Sequence, residues 1–314
     1  MIASSALAVA SSGCAGADGS DDGAESDLSN LQASQVTAAA WMGSVSSAKL
    51  LSELTIPGTH ESCARHEPFA HTAKCQNLSL ADQLAAGVRF FDIRGRHYND
   101  SLQIHHDRIF QEMSFDDVLA PVWSFLKAHP SETVIMSVKD EYTPAGNHRT
   151  YQQTFDAYVA KHPAGWYLGA TVPSLSQVRG KIVLIRRFNS NAPLGIDASP
   201  AHWTDDAVFS IGGAAHLRVQ DKYAVSNDGT KWSQIQSLFG EALHGDRSTI
   251  FINFSSGYHS QLFGIPDIVG VSDSMNADLA TYFSAPAQKK GRYGIVAMDF
   301  VDAHRADLVF RKNF

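Results

Sequence analysis

The sequence lacks two features that would place the protein in large functional classes: long apolar runs and an excess of positive charge. No stretch approaches the roughly 18 unbroken apolar residues of a membrane-spanning helix. The 314 residues contain 25 Lys and Arg against 32 Asp and Glu, which gives a formal net charge of -7. Because nucleic-acid binding usually needs a basic patch, we expect no nucleic-acid partner. The same charge argues against strong electrostatic attachment to an anionic membrane.

Cysteine is also scarce, with three residues in the chain. The sequence has no CxxC motif and no second cysteine pair, which argues against a structural zinc site. Cys63 and Cys75 lie in a segment that follows the first apolar run, and in an exported protein such a pair predicts a local disulfide. A nucleophilic role for Cys63 is disfavoured, since better candidates surround it.

Residues 1–35 differ in composition from the rest of the chain. The first 13 residues are rich in Ala and Ser, as at the end of a signal peptide, although no basic segment precedes them. Cys14 ends a loose match to a lipoprotein cleavage site, and an acidic stretch rich in Gly and Ser follows it. We interpret residues 1–35 as a signal-like, disordered acidic leader of a secreted protein, with lipidation at Cys14 left open. The alternative is a disordered extension of no consequence.

Eight short apolar runs, each ending in a polar residue, alternate with amphipathic segments from about residue 49 onward. Such runs are typical of buried parallel strands, and the alternation predicts an α/β protein with a mostly parallel sheet. The spacing predicts helices near 78–85, 114–129, 151–159 and 232–243, with Ser79 as one N-cap and Ser114 as another helix start. We expect one barrel-like domain over 36–314. It is irregular at 95–101, where the connection is too short for a helix.

In an α/β barrel the active site forms at the carboxyl ends of the strands. Two of the runs end in histidine, at His60 and at the pair His105-His106, and the last run ends in Asp299. Two imidazoles with a carboxylate behind one of them suit general acid-base catalysis of phosphoryl or acyl transfer. Alternation along a strand sends only one histidine of the adjacent pair into the site. Basic residues end three further runs and indicate an anionic substrate; they are Arg94, Lys139 and Arg187.

These residues and their surroundings resemble the bacterial phosphatidylinositol-specific phospholipase C family over nearly all of residues 49–303. The resemblance is strongest in the segments 54–62, 87–96, 104–107, 130–142, 179–188, 219–225 and 295–300. It implies a distorted, incompletely closed TIM (β/α) barrel. It also implies cleavage of phosphatidylinositol, with GPI anchors left open as a substrate, to diacylglycerol and 1,2-cyclic inositol phosphate. The lipid partner would then be met at a membrane or micelle surface by peripheral contact, and we predict no protein partner.

The resemblance also implies a role for each matching residue. His60 matches the general base that takes the proton of the inositol 2-hydroxyl, and Asp299 matches the carboxylate that orients it. His106 matches the general acid, and Arg94 the arginine that stabilises charge on the phosphate. Because Arg94 supplies that positive charge, we expect catalysis without a metal or other cofactor. The residues that match the inositol-binding positions are Lys139, Arg187, Asp221 and Tyr223.

The sequence departs from the family pattern in the segment that follows the first histidine. Glu61, which we count with the catalytic residues, stands where the family usually has aspartate. Its extra methylene moves a carboxylate by over an angstrom, so either the loop bearing Cys63 compensates or turnover is reduced. The loop also lacks the tryptophan that some relatives insert into the bilayer. Candidates for interfacial contact instead are Phe69, Tyr258, Leu262 and Phe263, with ordinary loop packing as the alternative.

Two other functions remain open at the level of sequence. A metal-dependent phosphodiesterase of the glycerophosphodiesterase kind would need His-Arg near the first strand and a Glu-x-Asp pair. Neither stands at the right place, although His304-Arg305 occurs near the end of the chain. The second alternative is a non-catalytic protein that binds inositol lipids, and Glu61 is the feature that points to it.

Overall fold

The computed structural model describes Met1 and residues 36–314. The predicted leader and the lipidation of Cys14 lie outside these residues. The strands of the described part are β1 (Thr55–Thr59), β2 (Phe90–Tyr98), β3 (Ser101–His106), β4 (Ile109–Ser114), β5 (Val134–Asp140), β6 (Trp166–Tyr167), β7 (Ile182–Arg187), β8 (Ile196–Asp197), β9 (Ala207–Ile211), β10 (His216–Asp221), β11 (Thr249–Phe254), β12 (His259–Ser260), β13 (Pro266–Asp267) and β14 (Gly294–Met298).

In the described residues the main sheet has twelve strands, and nine of them follow one another in the order β6-β7-β5-β2-β1-β14-β11-β10-β9. Neighbours pair in parallel from β6 through to β10, and β9 closes the far edge antiparallel to β10. Within the described residues β6 and β9 do not pair with each other, so the barrel stays open between them. The structure thus confirms an α/β fold that is a distorted, incompletely closed barrel.

The irregularity predicted at 95–101 is a hairpin. β3 runs antiparallel to β2, and β4 antiparallel to β3, while the next parallel neighbour of β2 is β5. The apolar run that ends at His106 is therefore not a barrel strand, which corrects the simple picture of eight equivalent parallel runs. Its two-residue turn leaves no room for a crossover helix, so the chain can only fold back antiparallel.

The helices pack against the sheet and are α1 (Leu80–Ala85), α2 (Phe115–Ala128), α3 (Tyr151–Val159), α4 (Leu175–Val178), α5 (Asp228–His244), α6 (Ile268–Ser284) and α7 (Ala303–Phe310). Short 3₁₀ segments lie at Ala38–Ser44, Leu51–Glu53, Pro163–Gly165, Leu262–Gly264 and Arg311–Asn313. The predicted caps are confirmed: Ser79 accepts from the amide of Asp82, and Ser114 accepts from that of Asp117. None of the described helices has the length and apolarity needed to cross a bilayer.

The central parallel strands of the sheet have two buried faces, and alternate residues supply two separate apolar clusters. On β5, Met136 and Val138 pack with the helices, whereas Ile135 packs on the opposite face with residues such as Phe90 and Phe254. β1 approaches β2 closely through Gly58, where an added Cβ would lie 2.8 Å from Phe90 Cδ1. This packing fixes the strand ends, and therefore the side chains that follow them.

The predicted disulfide between Cys63 and Cys75 is wrong, because both residues are buried free thiols. Cys63 belongs to the large core cluster beneath the helices. Cys75 lies in a separate small cluster with Ala64 and Ile268. The two thiols therefore serve different packing environments, and sequence proximity alone does not bring them together.

Candidate active site

Three predicted basic residues lie side by side at the carboxyl ends of adjacent strands. Arg94 of β2 is the register partner of Lys139 on β5, and Lys139 is the register partner of Arg187 on β7. The row therefore spans three neighbouring strands at one level of the sheet. Residues in register across parallel strands share a face, which explains why three separate motifs supply one positively charged wall.

A pocket of about 220 Å³ opens at this end of the sheet. Eight of the nine predicted site residues line it, and Glu61 lies buried next to them. The lining is formed by His60, Arg94, His106, Asp107, Lys139, Glu141, Arg187, Asp205, Asp221, Tyr223, Gly257, Tyr258, Ile268 and Asp299.

His60 follows β1 and faces Asp299, which follows β14. His60 Nδ1 lies 2.9 Å from Asp299 Oδ1, which fixes Nδ1 as the donor and leaves Nε2 for the pocket. Burial alone would lower the pKa of His60. The Asp299 carboxylate outweighs this effect, and the pKa is raised above its ordinary value. Asp299 itself is held by its own carbonyl, which accepts from Asn276 Nδ2 at 2.9 Å.

His106, at the end of β3, is oriented by a backbone carbonyl. Its Nδ1 donates to the oxygen of Ala73 at 2.7 Å, so Nε2 is the nitrogen left for proton transfer. His105 is buried on the other side of the strand, where its ring stacks against that of Tyr142 at 6.0 Å. This confirms that only one histidine of the pair reaches the pocket. Because each pocket histidine donates a hydrogen bond from Nδ1, His60 and His106 share the same neutral tautomer.

Arg94 is held by two buried carboxylates. Asp92 Oδ2 accepts from Arg94 Nε at 3.1 Å and from Nη2 at 2.9 Å, while Glu61 Oε1 lies 2.5 Å from Nη1. Glu61 Oε1 also lies 3.9 Å from His106 Nε2, so this carboxylate links the guanidinium to the second imidazole. Burial raises the pKa of Glu61, an effect that Arg94 and His106 oppose. The longer side chain of Glu61 thus reaches Arg94 directly.

Asp92 also holds Arg187, because its Oδ1 lies 3.3 Å from Arg187 Nη1. Burial would raise the pKa of Asp92, but Arg94 and Arg187 bring it well below the usual range. The guanidinium of Arg187 lies 3.6 Å from the ring centroid of Trp203, and Trp203 Nε1 donates to Asp221 Oδ2 at 3.1 Å. One indole therefore fixes two predicted inositol-binding residues.

The remaining predicted residues are paired with acids. Lys139 Nζ lies 2.7 Å from Glu141 Oε2, and Tyr223 donates its hydroxyl proton to Asp205 Oδ2 at 2.7 Å. The ring of Tyr223 stacks on that of Tyr258, with centroids 6.1 Å apart. Tyr258 is therefore a half-buried wall residue rather than an exposed tip. By contrast, Phe69, Leu262 and Phe263 are 75%, 77% and 91% exposed, respectively.

Sequence reasoning missed several residues that shape this pocket. Asp92 and Glu141 lie two positions from a predicted basic residue, and that spacing within the same motifs was the available signal. Trp203 and Asp205 belong to a loop without periodicity, and no sequence pattern singles them out. Cys75 was assigned to a disulfide, whereas its Sγ lies 3.9 Å from His106 Nδ1.

Among the described residues, one group of three side chains could hold a metal ion. It consists of His60, Cys75 and Asp299, whose ligand atoms all lie within 4.8 Å of one another. At the Arg94 position two carboxylates, those of Asp92 and Glu61, pair with the guanidinium.

An open α/β barrel with two imidazoles and a row of cations around one pocket is typical of a barrel enzyme that acts on an anionic substrate. Comparisons with known proteins agree. Residues 51–188 match the family model for the X domain of phosphatidylinositol-specific phospholipase C. The chain is 31% identical over 232 residues to the 1-phosphatidylinositol phosphodiesterase of Staphylococcus aureus strain Newman, covering 69% of this chain and 74% of that protein. The chain is 28% identical to the Listeria monocytogenes protein of the same name. That alignment covers 88% of this chain and 86% of that protein.

A solved structure of a pentafluoro-Phe-substituted phosphatidylinositol-specific phospholipase C from Staphylococcus aureus superposes with a TM-score of 0.79. Its sequence identity is 26%, and the match covers 88% of this chain and 98% of that one. The chain belongs to the bacterial phosphatidylinositol-specific phospholipase C family and is an enzyme of the phosphodiesterase class. The resemblance seen in its motifs is thereby confirmed.

Proposed function

We propose that this enzyme cleaves phosphatidylinositol by metal-independent acid-base catalysis with two histidines. The supporting observation is the arrangement of His60 and His106, each with Nδ1 committed to a buried acceptor and both lining the pocket that contains Arg94. The products are diacylglycerol and 1,2-cyclic inositol phosphate. Free phosphatidylinositol and the lipid part of a GPI anchor present the same inositol phosphodiester, so the proposal covers both.

In the first step His60 Nε2 takes the proton of the inositol 2-hydroxyl as its oxygen attacks phosphorus. The bond between phosphorus and the diacylglycerol oxygen breaks, and protonated His106 delivers its Nε2 proton to that oxygen. In the slower second step the roles reverse. Water attacks phosphorus as His106 accepts its proton, the bond between phosphorus and the 2-oxygen breaks, and His60 returns its proton to that oxygen. Each histidine regains its starting state.

Arg94 supplies the charge that stabilises the phosphorane-like transition state. Its guanidinium is oriented before substrate arrives, because Asp92 and Glu61 fix three of its nitrogens. A guanidinium forks onto two phosphate oxygens, which replaces the electrostatic role that a cation plays in metal-dependent relatives. Around it, the inositol hydroxyls meet Lys139, Arg187 and Asp221, and the sugar ring stacks on Tyr223.

The lipid reaches the pocket from a membrane surface. The exposed Phe69, Leu262 and Phe263 lie in two loops. Ile268, which begins α6 after the second loop, donates its amide proton to the carbonyl of His71 in the first. A phosphatidylinositol-specific phospholipase C of known structure from Staphylococcus aureus has a membrane binding that can be modulated. This relative supports membrane binding by the present enzyme. We further propose that residues 36–314 form the catalytic barrel and that residues 1–35 serve export, which would make the enzyme extracellular.

The experiment is cleavage of phosphatidylinositol in detergent micelles by wild type, His60→Ala and His106→Ala. Each substitution should reduce the rate at least about a hundredfold, within the usual range for acid-base groups. His216→Ala, at an exposed position outside the pocket, is the matched control and should keep the wild-type rate. A rate abolished by a chelator would favour a metal-dependent phosphodiesterase instead. Binding of inositol lipid without any product would favour the non-catalytic alternative.

A further inference from the structure

Cys75 lies close to both catalytic histidines, His60 and His106. Its Sγ lies 3.9 Å from His106 Nδ1, and its backbone carbonyl accepts from the amide of Phe300, the residue after Asp299. The side chain is buried, as is that of Asp299. The proposed proton-transfer mechanism does not use this thiol.

Asp299 carries a second observation that points to a ligand. Its Oδ1 is paired with His60, but its Oδ2 is buried and has no hydrogen-bond partner in the part of the chain that the structure describes. A buried carboxylate oxygen without a partner is costly, and such groups are commonly satisfied by an ion or water. A carboxylate oxygen of Asp299 belongs to the same three-residue group as Cys75 Sγ and a ring nitrogen of His60.

We propose that His60, Cys75 and Asp299 form an inhibitory binding site for one zinc-like divalent ion. The ligand atoms, one nitrogen, one sulfur and one oxygen, lie within 4.8 Å of one another. Zinc bonds of about 2.0–2.3 Å place tetrahedral ligands roughly 3.3–3.8 Å apart. Side-chain adjustments of about 1 Å therefore close the site, and the fourth position falls to water or substrate.

The donor set selects the metal. Thiolate and imidazole ligands favour zinc and cadmium. Magnesium and calcium prefer oxygen ligands, so this site should not bind them. On binding, the metal–sulfur bond forms, the S–H bond of Cys75 breaks, and its proton leaves to solvent. No electron transfer is involved, so no oxidant or reductant is required.

Inhibition follows from the fate of His60, and this part of the inference rests on the proposed function. The metal takes the lone pair of His60 Nδ1, the nitrogen beside Asp299, and the ring proton moves from Nδ1 to Nε2. His60 can then no longer accept the proton of the inositol hydroxyl. The hydrogen bond between His60 and Asp299 is also lost, because both groups now face the ion.

The test combines a spectrum with an activity titration on the full chain. Cobalt(II) added to the metal-free protein should give one equivalent of binding with a sulfur-to-metal charge-transfer band. Zinc at ten times its dissociation constant should reduce phosphatidylinositol cleavage about tenfold, following site occupancy. Magnesium and calcium at the same concentration should leave the rate unchanged.

Cys75→Ser is the deciding variant, and Cys63→Ser is its matched control because it removes the other buried thiol. Relative to its own metal-free rate, Cys75→Ser should need at least about a hundredfold more zinc for half inhibition, as expected for loss of a ligand. It should also lose the charge-transfer band. Cys63→Ser should retain the band and the wild-type zinc sensitivity.

Equal inhibition of wild type and Cys75→Ser, or cobalt binding without the thiolate band, would overturn the site. A metal-free enzyme that does not cleave phosphatidylinositol would refute the proposed function instead. The cobalt spectrum does not depend on turnover, so the two failures are distinguishable.

Discussion

Asp92 binds Arg94 through a single carboxylate oxygen, Oδ2, which accepts hydrogen bonds from both Nε and Nη2 of the guanidinium. The other oxygen of Asp92 lies near Arg187, so one buried anion orients two cations of the pocket. Fixing a guanidinium before substrate binds removes the reorganisation that would otherwise accompany the reaction. The carboxylate thus contributes to the site without facing the substrate.

We therefore expect Asp92→Asn to be unstable as well as slow. It leaves the buried guanidinium of Arg187 and the partly buried one of Arg94 without their shared anion, which should lower the free energy of unfolding by about 3–5 kcal/mol at neutral pH. Because the folded pKa of Asp92 is depressed, its stabilisation is complete above the unfolded pKa of about 4 and is lost as pH falls toward the folded value. Urea denaturation across pH measures both the loss and its disappearance in acid.

Asp140→Asn is the matched control for this prediction, since Asp140 is a neighbouring aspartate with the opposite shift. Burial raises its pKa to about 6, and nearby Glu141 adds to the effect. Removing a carboxylate whose ionised form is disfavoured should leave the stability at pH 7 unchanged or slightly higher. If both variants lose the same stability, the ion pairs of Asp92 contribute nothing specific.

The pair of His60 and Asp299 predicts the acid side of the pH–rate profile. Only neutral His60 accepts a proton, so kcat/KM should fall as pH drops through its raised pKa, above the ordinary value of about 6.5. In Asp299→Asn the carboxylate that chiefly raises this pKa is gone, while burial and Arg94 still lower it, so the acid limb should move to lower pH. The plateau should also fall at least about a hundredfold.

Asp116→Asn provides the comparison for this profile, because Asp116 is a surface residue paired with Lys161 outside the pocket. It should reproduce both the plateau and the acid limb of wild type. An acid limb that stays in place in Asp299→Asn would show that Asp299 does not set the pKa of His60.

The alternation of apolar runs and amphipathic segments was sufficient to predict the main strands, four helices and a barrel-like domain, because these features depend on local periodicity and burial. The incomplete closure of the barrel was implied by the family resemblance instead. The β3–β4 hairpin was not predicted, because the apolar run of β3 has the composition of a buried parallel strand. Two-residue strands such as β6 and β8 were not predicted either, because their pairing depends on contacts outside their own short segments. The disulfide prediction failed for the same reason, since Cys63 and Cys75 enter different clusters.

The site residues also fall into a group that the sequence pattern predicts and a group that it does not. His60, Arg94 and Lys139 end apolar runs, so the sequence pattern predicts them as site residues. Asp92 lies inside such a run and is buried among apolar neighbours, where charge alone does not reveal its partners. Trp203 reaches Arg187 from an irregular loop, a contact that exists only once the sheet is assembled.

Glu61 offers a direct test of the departure from the family pattern. The structure brings its carboxylate to Arg94 Nη1, so Glu61→Asp should withdraw the group and lower kcat about tenfold with little change in KM. Its backbone has φ = 42°, a left-handed conformation that aspartate also accepts, so the effect should not come from misfolding. Glu61→Gln keeps the length without the charge and separates reach from electrostatics. A faster Glu61→Asp enzyme would mean that glutamate is a handicap here.

The exposed loop that contains Leu262 and Phe263 predicts how the enzyme meets lipid. Replacing both residues with serine removes two of the most exposed apolar side chains in the described residues, while the wall residue Tyr258 remains. Since full burial of such a side chain is worth about 1.5–3 kcal/mol, even partial insertion should make vesicle partitioning at least about tenfold weaker in the double variant. Hydrolysis of a water-soluble inositol phosphodiester should keep its wild-type rate, because the pocket is intact. Val208→Ser, at an exposed edge of β9, is the control and should bind vesicles normally. Unchanged partitioning of the double variant would assign the loop to packing rather than to the membrane.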